Sequence, residues 1–213
     1  MSLAPEGPLP ADRFAEILAG RSAAFGLELD ADRRSLLAHY LAELDRWRQT
    51  TNLTGRLSPE ELADHVLEAL VASPLLGDGE RVVDIGSGAG LPGLPLAILR
   101  PAVRMTLVEP RSRRAAFLRH AVRALALPNV AVLEARIENV GGQTFDAATT
   151  RAVGGFDAWI GQAGFLRDGG RFLAWTTDPD EVSSALGPRF RHAQDLTIPG
   201  SRAGRIAVFD KLP

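Results

Sequence analysis

The sequence predicts an α/β protein with a doubly wound, mainly parallel sheet and an N-terminal helical extension. Three observations carry this reading. Residues 11–73 place apolar residues at helical spacing and contain no strand-like run. From residue 81, short apolar runs alternate with amphipathic stretches, and the first run ends in a glycine-rich turn. Such alternation is the pattern of parallel strands with helices on the faces of their sheet. The chain therefore divides into a helical extension over residues 1–77, packed on the core, and a sheet domain over residues 78–213.

Residues 1–10 hold three prolines and a glycine and predict a loose tail. Phe14, Ile17 and Leu18, then Leu36, Leu37, Tyr40, Leu41, Leu44 and Trp47, recur at helical spacing. Ser58-Pro-Glu-Glu61 opens the next helix, with Ser58 as cap, Pro59 at the first position and Glu61 able to close a capping box. That helix carries Leu62, Val66, Ala69 and Leu70 on one face. Arg81–Ile85 is a short buried strand, and Leu94–Leu99 is the helix after its glycine turn. Arg104–Glu109 is a second strand, followed by a helix with Phe117, Leu118, Ala121, Val122 and Leu125 on one side. Val130–Glu134, Phe145–Thr149 and Arg171–Trp175 predict strands three to five, and Arg205–Asp210 a last strand.

No window approaches the roughly 20 unbroken apolar residues of a membrane span. The N-terminus has no basic segment followed by an apolar one. A cytoplasmic protein is expected, with no membrane partner. The absence of cysteine excludes disulfides, zinc-thiolate sites and a cysteine nucleophile, and no metal site is predicted. The net charge of −2 conceals an asymmetry. Residues 1–80 hold seven Arg against fourteen acids, whereas residues 81–213 hold seventeen Lys plus Arg against twelve. A basic second half suits a polyanionic partner, although ordinary enzymes also carry such charge. Residues 100–123 concentrate seven Arg against one acid, Glu109, and read either as a phosphate-contacting surface or as a solvated helix face.

The loop Asp84-Ile-Gly-Ser-Gly-Ala-Gly90 is the most informative segment. Glycines behind a buried parallel strand let the backbone approach a nucleoside-bearing ligand at the carboxyl edge of the sheet. Gly88-Ala-Gly-Leu-Pro-Gly93 formally fits the G-x-G-x-x-G of dinucleotide enzymes, whereas Asp84 with Gly86, Gly88 and Gly90 fits the D-x-G-x-G-x-G of class I methyltransferases. Position favours the second. The strand ends at Ile85, so Gly86 follows it at once, and Asp84 would repel a pyrophosphate but attract the cationic methionyl part of S-adenosylmethionine. Asp84, Gly86 and Gly88 are accordingly candidate cofactor-binding residues. Glu109, 23 residues after Gly86, ends the second strand, where a carboxylate can accept both ribose hydroxyls. Arg136-Ile-Glu138 follows strand three, where an adenine edge would lie. Arg151, just after strand four, stands where substrate and cofactor would meet. It either holds one of them in line or pairs with a neighbouring acid, Asp146 or Asp157. Trp47 and Asn52-Leu-Thr54 read as core and cap, and His65 as a structural hydrogen-bonding residue.

Several of these segments occur in one order: Trp47, Thr51-Asn-Leu-Thr54, His65, Asp84-Ile-Gly-Ser-Gly-Ala-Gly-Leu-Pro-Gly93, Arg136-Ile-Glu138 and Arg151-Ala-Val153. Together they resemble the glucose-inhibited division protein B family of bacterial 16S rRNA guanine-N7 methyltransferases, from about residue 30 to the last strand. The resemblance implies a class I, Rossmann-like methyltransferase domain over residues 78–213 with S-adenosyl-L-methionine as cofactor. It places Gly86, Leu91, Ile137, Glu138 and Arg151 on cofactor-contacting positions and Arg136 on a second active-site arginine. It implies 16S rRNA within the 30S subunit or its precursor as partner; no DNA partner is expected, and a monomer is the expectation, which the sequence does not establish. The chain departs from the family pattern at Glu68-Ala69, where Asp-Ser is usual, and at Trp175-Thr-Thr177, where Lys-Gly often follows strand five.

Guanine N7 has a lone pair and no proton, so in-line methyl transfer to it requires alignment without a general base. No Asn-Pro-Pro-aromatic segment of the amino-group methyltransferases follows strand four, and no cysteine is present for base C5 methylation. Two other functions fit the same sequence: a methyltransferase acting on a protein or small molecule, and an inactive ribosome-associated binding module. A nicotinamide oxidoreductase would need a His/Lys/Tyr constellation that the sequence does not mark.

Overall fold

The computed structural model describes residues 7–151, 164–200 and 204–213. Its elements in chain order are α1 (Ala11–Arg21), α2 (Ala31–Trp47), α3 (Pro59–Leu70), β1 (Arg81–Ile85), α4 (Gly93–Leu99), β2 (Arg104–Val108), α5 (Ser112–Ala124), β3 (Val130–Leu133), β4 (Phe145–Arg151), β5 (Leu166–Thr176), α6 (Pro179–Leu186), β6 (Phe190–Thr197) and β7 (Arg205–Lys211). The strands form one sheet in the order β3-β2-β1-β4-β5-β7-β6. The first five run parallel; β7 pairs antiparallel with both β5 and β6. The order reverses between β1 and β4, so their carboxyl ends flank the crevice where α/β sheets bind ligands.

Alternation along the strands sends side chains to two apolar layers. Val82, Leu107, Ala147 and Leu173 point to one face, where they pack with Leu94 of α4 and with Phe117 and Leu118 of α5. Val83, Val108, Ala148 and Phe172 point to the other, with Val182 and Leu186 of α6. Asp84 follows Val83 and shares the first face, a placement that decides its role.

The N-terminal helices add to the first layer. Phe14, Leu18, Tyr40, Leu41 and Leu44 belong to the same cluster as the sheet and are fully buried. Trp47 lies 5.7 Å from Phe117 and 5.2 Å from His120 between ring centroids, tying α2 to α5. The capping box expected at Ser58 forms: Glu61 N donates to Ser58 Oγ (3.2 Å) and Ser58 N to Glu61 Oε2 (2.6 Å). Asp30 caps α2 by accepting from Arg33 N.

Two elements, β6 and α6, carry no strong local signal in the sequence, and β4 and β5 run longer than their apolar runs. β6 leaves most of its residues exposed at the sheet edge, so Phe190-Arg-His-Ala-Gln-Asp-Leu-Thr197 never shows an apolar run. α6 is a short helix opened by Asp178 and Pro179, with Asp178 accepting from two backbone N–H groups. β5 begins at Leu166, because Arg167-Asp-Gly-Gly170 continues the strand. β4 runs on through Arg151, which is therefore its last residue. No described helix is long and apolar enough to cross a membrane.

Candidate active site

The glycine turn is fixed by the strand beside it. Gly86 N and Ser87 N both donate to Val108 O, at 2.9 and 3.1 Å. Gly88 N donates to Glu109 Oε2 (2.9 Å), while Glu109 Oε1 accepts from Arg111 N (2.8 Å). Glu109 is 3% exposed, so it is a buried acid held by backbone donors at the mouth of the turn. Gly86, Gly88 and Gly90 have φ of 69°, 53° and 91°, left-handed values that favour glycine.

Gly93 serves a different need. A Cβ there would stand 2.5 Å from Leu107 Cδ2 and 2.8 Å from Asp84 Oδ2. The bare backbone lets α4 start directly against β1 and β2. The last glycine of Gly-Leu-Pro-Gly is thus a packing residue.

A cavity of about 470 Å³ opens above this turn, within the range of nucleoside-sized sites. Its floor is Gly86, Ser87, Gly88, Ala89 and Leu91. One side is Glu109, Pro110, Arg111 and Arg114; the other is His65 and Arg151; the roof is Leu53, Thr54, Gly55 and Leu57 from the α2–α3 connection.

Five of the predicted site residues therefore line this one cavity: Gly86, Gly88, Leu91, Glu109 and Arg151. Asp84 does not. It is fully buried beneath the turn, accepting from Thr149 Oγ1 (3.0 Å) and Gly93 N (3.3 Å). Strand alternation turns it toward α4 rather than toward a bound cation. Burial pushes its carboxyl up to about 6, against the hydrogen bonds from Thr149 and Gly93. Arg136, Ile137 and Glu138 also lie outside the cavity lining. Ile137 opens the single-turn helix Ile137–Asn139 and packs into the second apolar layer, while Arg136 is exposed. The segment after β4 that includes Val153 and Asp157 lies outside the described residues.

Arg151 has neither of the expected acid partners within the described residues. Asp146 instead accepts from Arg167 Nε (2.6 Å) and Arg81 N (2.8 Å). Arg151 reaches across to α3. Its Nη2 donates to Glu68 Oε2 (2.6 Å) and to His65 Nδ1 (2.5 Å), and its Nη1 to His65 O (3.1 Å). Of the five guanidinium N–H groups, Nε–H and one Nη1–H have no acceptor among the described residues and are available to a ligand. Accepting from Arg151 puts the His65 ring proton on Nε2, so the 3.1 Å approach of Nδ1 to Glu68 is polar contact without a second hydrogen bond. Burial works against the Glu68 charge, but the Arg151 guanidinium bonded to it outweighs that and holds the carboxyl below its ordinary range. Trp175 Nε1 donates to Glu68 O (3.2 Å), so the two departures from the family pattern meet in one cluster behind Arg151.

The α2–α3 connection contributes more to the site than its sequence suggests. Leu53 and Thr54 face the cavity rather than serving only as core and cap, and Asn52 O accepts from Arg114 Nε (3.2 Å). Arg111 and Arg114 were visible only as members of a charge run. Tyr40 Oη donates to Ala89 O (2.7 Å), linking α2 to the glycine turn at full burial. His65 and Glu68, one turn apart on α3, were the available signal: two polar residues on a helix whose other face is apolar.

The family described as GidB, rRNA small subunit methyltransferase G, matches residues 33–187. A ribosomal RNA small subunit methyltransferase G of Xanthomonas campestris pv. campestris (strain B100) is 39% identical, over 95% of this chain and 97% of its own. The protein of the same name from Nitrosospira multiformis is 38% identical, over 90% and 94%. Among solved structures, a variant of MtNAS in complex with S-adenosylmethionine superposes with a TM-score of 0.62 at 19% identity, covering 95% of this chain and 97% of that one. That likeness concerns the fold, the Rossmann-like sheet of class I methyltransferases.

Proposed function

The chain belongs to the rRNA small subunit methyltransferase G family, and on that premise we propose that it methylates guanine N7 in 16S rRNA with S-adenosylmethionine as donor. The observation that carries this reading is the cavity itself: the glycine turn, Glu109 and Arg151 converge at the carboxyl ends of β1, β2 and β4.

The lining suits the cofactor. The turn offers bare backbone as a floor, and each Glu109 oxygen keeps a lone pair beyond its one backbone hydrogen bond. Glu109 would take the ribose hydroxyls, Gly86, Gly88 and Leu91 the methionyl part, and the turn at Ile137 and Glu138 would lie beyond Glu109 on the adenine side. When bound, S-adenosylmethionine supplies an electrophilic methyl on its sulfonium. Asp84 acts from below, setting the turn through Gly93 and Thr149.

Guanine N7 carries no proton, so the chain needs no general base. Its contribution is alignment, which supplies several powers of ten in rate. The two N–H groups left on Arg151 hold the target nucleotide or the cofactor carboxylate for in-line transfer. Arg136, exposed and without a side-chain partner among the described residues, is a second candidate to meet the RNA. The 1–77 extension supplies the roof and the support for Arg151, and the 78–213 domain the cofactor wall. The substrate is the 30S subunit or its precursor, encountered in the cytoplasm.

The test is transfer of labelled methyl from S-adenosylmethionine to 30S subunits lacking the modification, with mapping of the methylated base. Label at N7 of one 16S guanine is expected. No transfer, or label on another atom, removes the reading.

A further inference from the structure

The seven arginines of residues 100–123 sort by partner. Arg100 pairs with Asp78 and Arg119 with Glu134, each at 2.9 Å. Arg111, Arg113 and Arg114, around the start of α5, have no acid partner among the described residues. Neither do Arg104 and Arg123, but Arg104 opens β2 and Arg123 lies in the last turn of α5, where a cation complements the helix dipole. At the first turn the dipole has the opposite sign. Arg111, Arg113 and Arg114 thus stand where their charge is least favoured, with no acid in that turn.

Two of the three, Arg111 and Arg114, line the cavity. Arg114 is anchored through Nε to Asn52 O, a neutral acceptor that leaves its charge uncompensated. Its Nη1 reaches over the glycine turn, 3.6 Å from where a Gly88 Cβ would stand. The nearest acid on the wall, Glu109, accepts from Gly88 N and Arg111 N. Across the cavity, Arg151 is already neutralised by Glu68. The positive charge of the site therefore collects on one lip.

We propose that Arg111 and Arg114 form a phosphate-binding rim that grips the RNA backbone beside the nucleotide entering the cavity. The inference rests on the RNA-substrate reading and adds where the strand is held. The planar guanidinium fork suits a phosphate, and phosphate contacts set the register of a nucleic acid on its protein.

The experiment compares wild type, Arg111→Gln, the Arg111→Gln/Arg114→Gln double variant and Arg123→Gln. Each is titrated with 30S subunits lacking the modification at several salt concentrations, and with S-adenosylmethionine by calorimetry. The double variant is expected to bind subunits roughly ten-fold more weakly, with a log–log salt slope shallower by about 1.4, two phosphates at about 0.7 each. Cofactor affinity stays within about two-fold, and Arg123→Gln behaves as wild type. Arg111→Gln breaks no side-chain hydrogen bond among the described residues, so about half the effect in that single variant guards against misfolding. Unchanged subunit affinity and slope overturn the proposal. So does an equal loss in Arg123→Gln, or lost cofactor affinity with subunit binding retained, which would make the pair carboxylate ligands. Wild-type protein that binds subunits without methylating them overturns the function reading instead, before any variant is compared.

Discussion

Arg151 at the end of β4 and Glu68 on α3 close an ion pair of 2.6 Å, with each side chain only 18% exposed. The pair joins elements more than eighty residues apart in sequence. It leaves the guanidinium aimed by the helical extension rather than by its own strand.

Replacing Glu68 by Gln keeps the size but removes the charge that orients Arg151. The half-buried cation then loses its partner, and about 2 kcal/mol of stability is expected to go with it. Methyl transfer should fall ten-fold or more in kcat with a smaller change in cofactor KM, and Glu68→Asp should recover part of it. Steady-state kinetics beside thermal unfolding check this; unchanged kcat in a folded Glu68→Gln protein would remove the positioning role.

Asp84 gives a pH signature. Its carboxyl titrates at about 6 when folded, against 3.8 ordinarily, so the folded state binds the proton more tightly. That contribution is fully present below pH 3.8 and is lost as pH rises through about 6. Asp84→Asn removes it, so wild type should gain on the variant, by on the order of 2 kcal/mol, as pH falls from 7 to 4. Denaturant midpoints at pH 7, 5.5 and 4 measure the difference; a gap independent of pH would contradict the buried-carboxyl assignment.

Gly93→Ala should cost about 2 kcal/mol by overpacking, since its methyl meets Leu107 and Asp84 within 3 Å. Cofactor affinity should fall with it, because the same residue sets where α4 begins beneath the turn. Calorimetry and thermal melting on one preparation test both effects.

Glu109→Gln retains the shape but turns one backbone acceptor into a donor facing Gly88 N or Arg111 N. S-adenosylmethionine affinity is expected to drop at least ten-fold, about 1.4 kcal/mol, with a modest loss of stability. Wild-type cofactor affinity in this variant would remove Glu109 from the ribose site.

Much of the fold is legible because its signals are local. The Gly86, Gly88 and Gly90 spacing, the Ser58 capping box and the apolar runs of β1 and β2 each lie within a few residues. Glu109 is readable for the same reason, since a strand end follows from the run before it. The orientation of Asp84 is not legible because Val82, Val83 and Ile85 are all apolar, and a strand buried on both faces does not announce which face a residue takes. β6 is invisible because an edge strand needs no apolar run. The partner of Arg151 is a long-range fact: Asp146 is near in sequence but committed to Arg167, and nothing in linear spacing selects Glu68. Arg111 and Arg114 differ from the other basic residues only by what the fold places around them.

The hydrogen bond from Tyr40 to Ala89 bears on how the chain can be taken apart. Composition draws a boundary near residue 77, yet α2 completes the hydrogen bonding of the turn at the cavity floor, and its apolar residues share a layer with the sheet. Severing the two stretches would leave a buried carbonyl without a donor and open the sheet face to water. The catalytic half is therefore an incomplete solid by itself, and a change anywhere along the outer helices has a short mechanical route to the floor of the site.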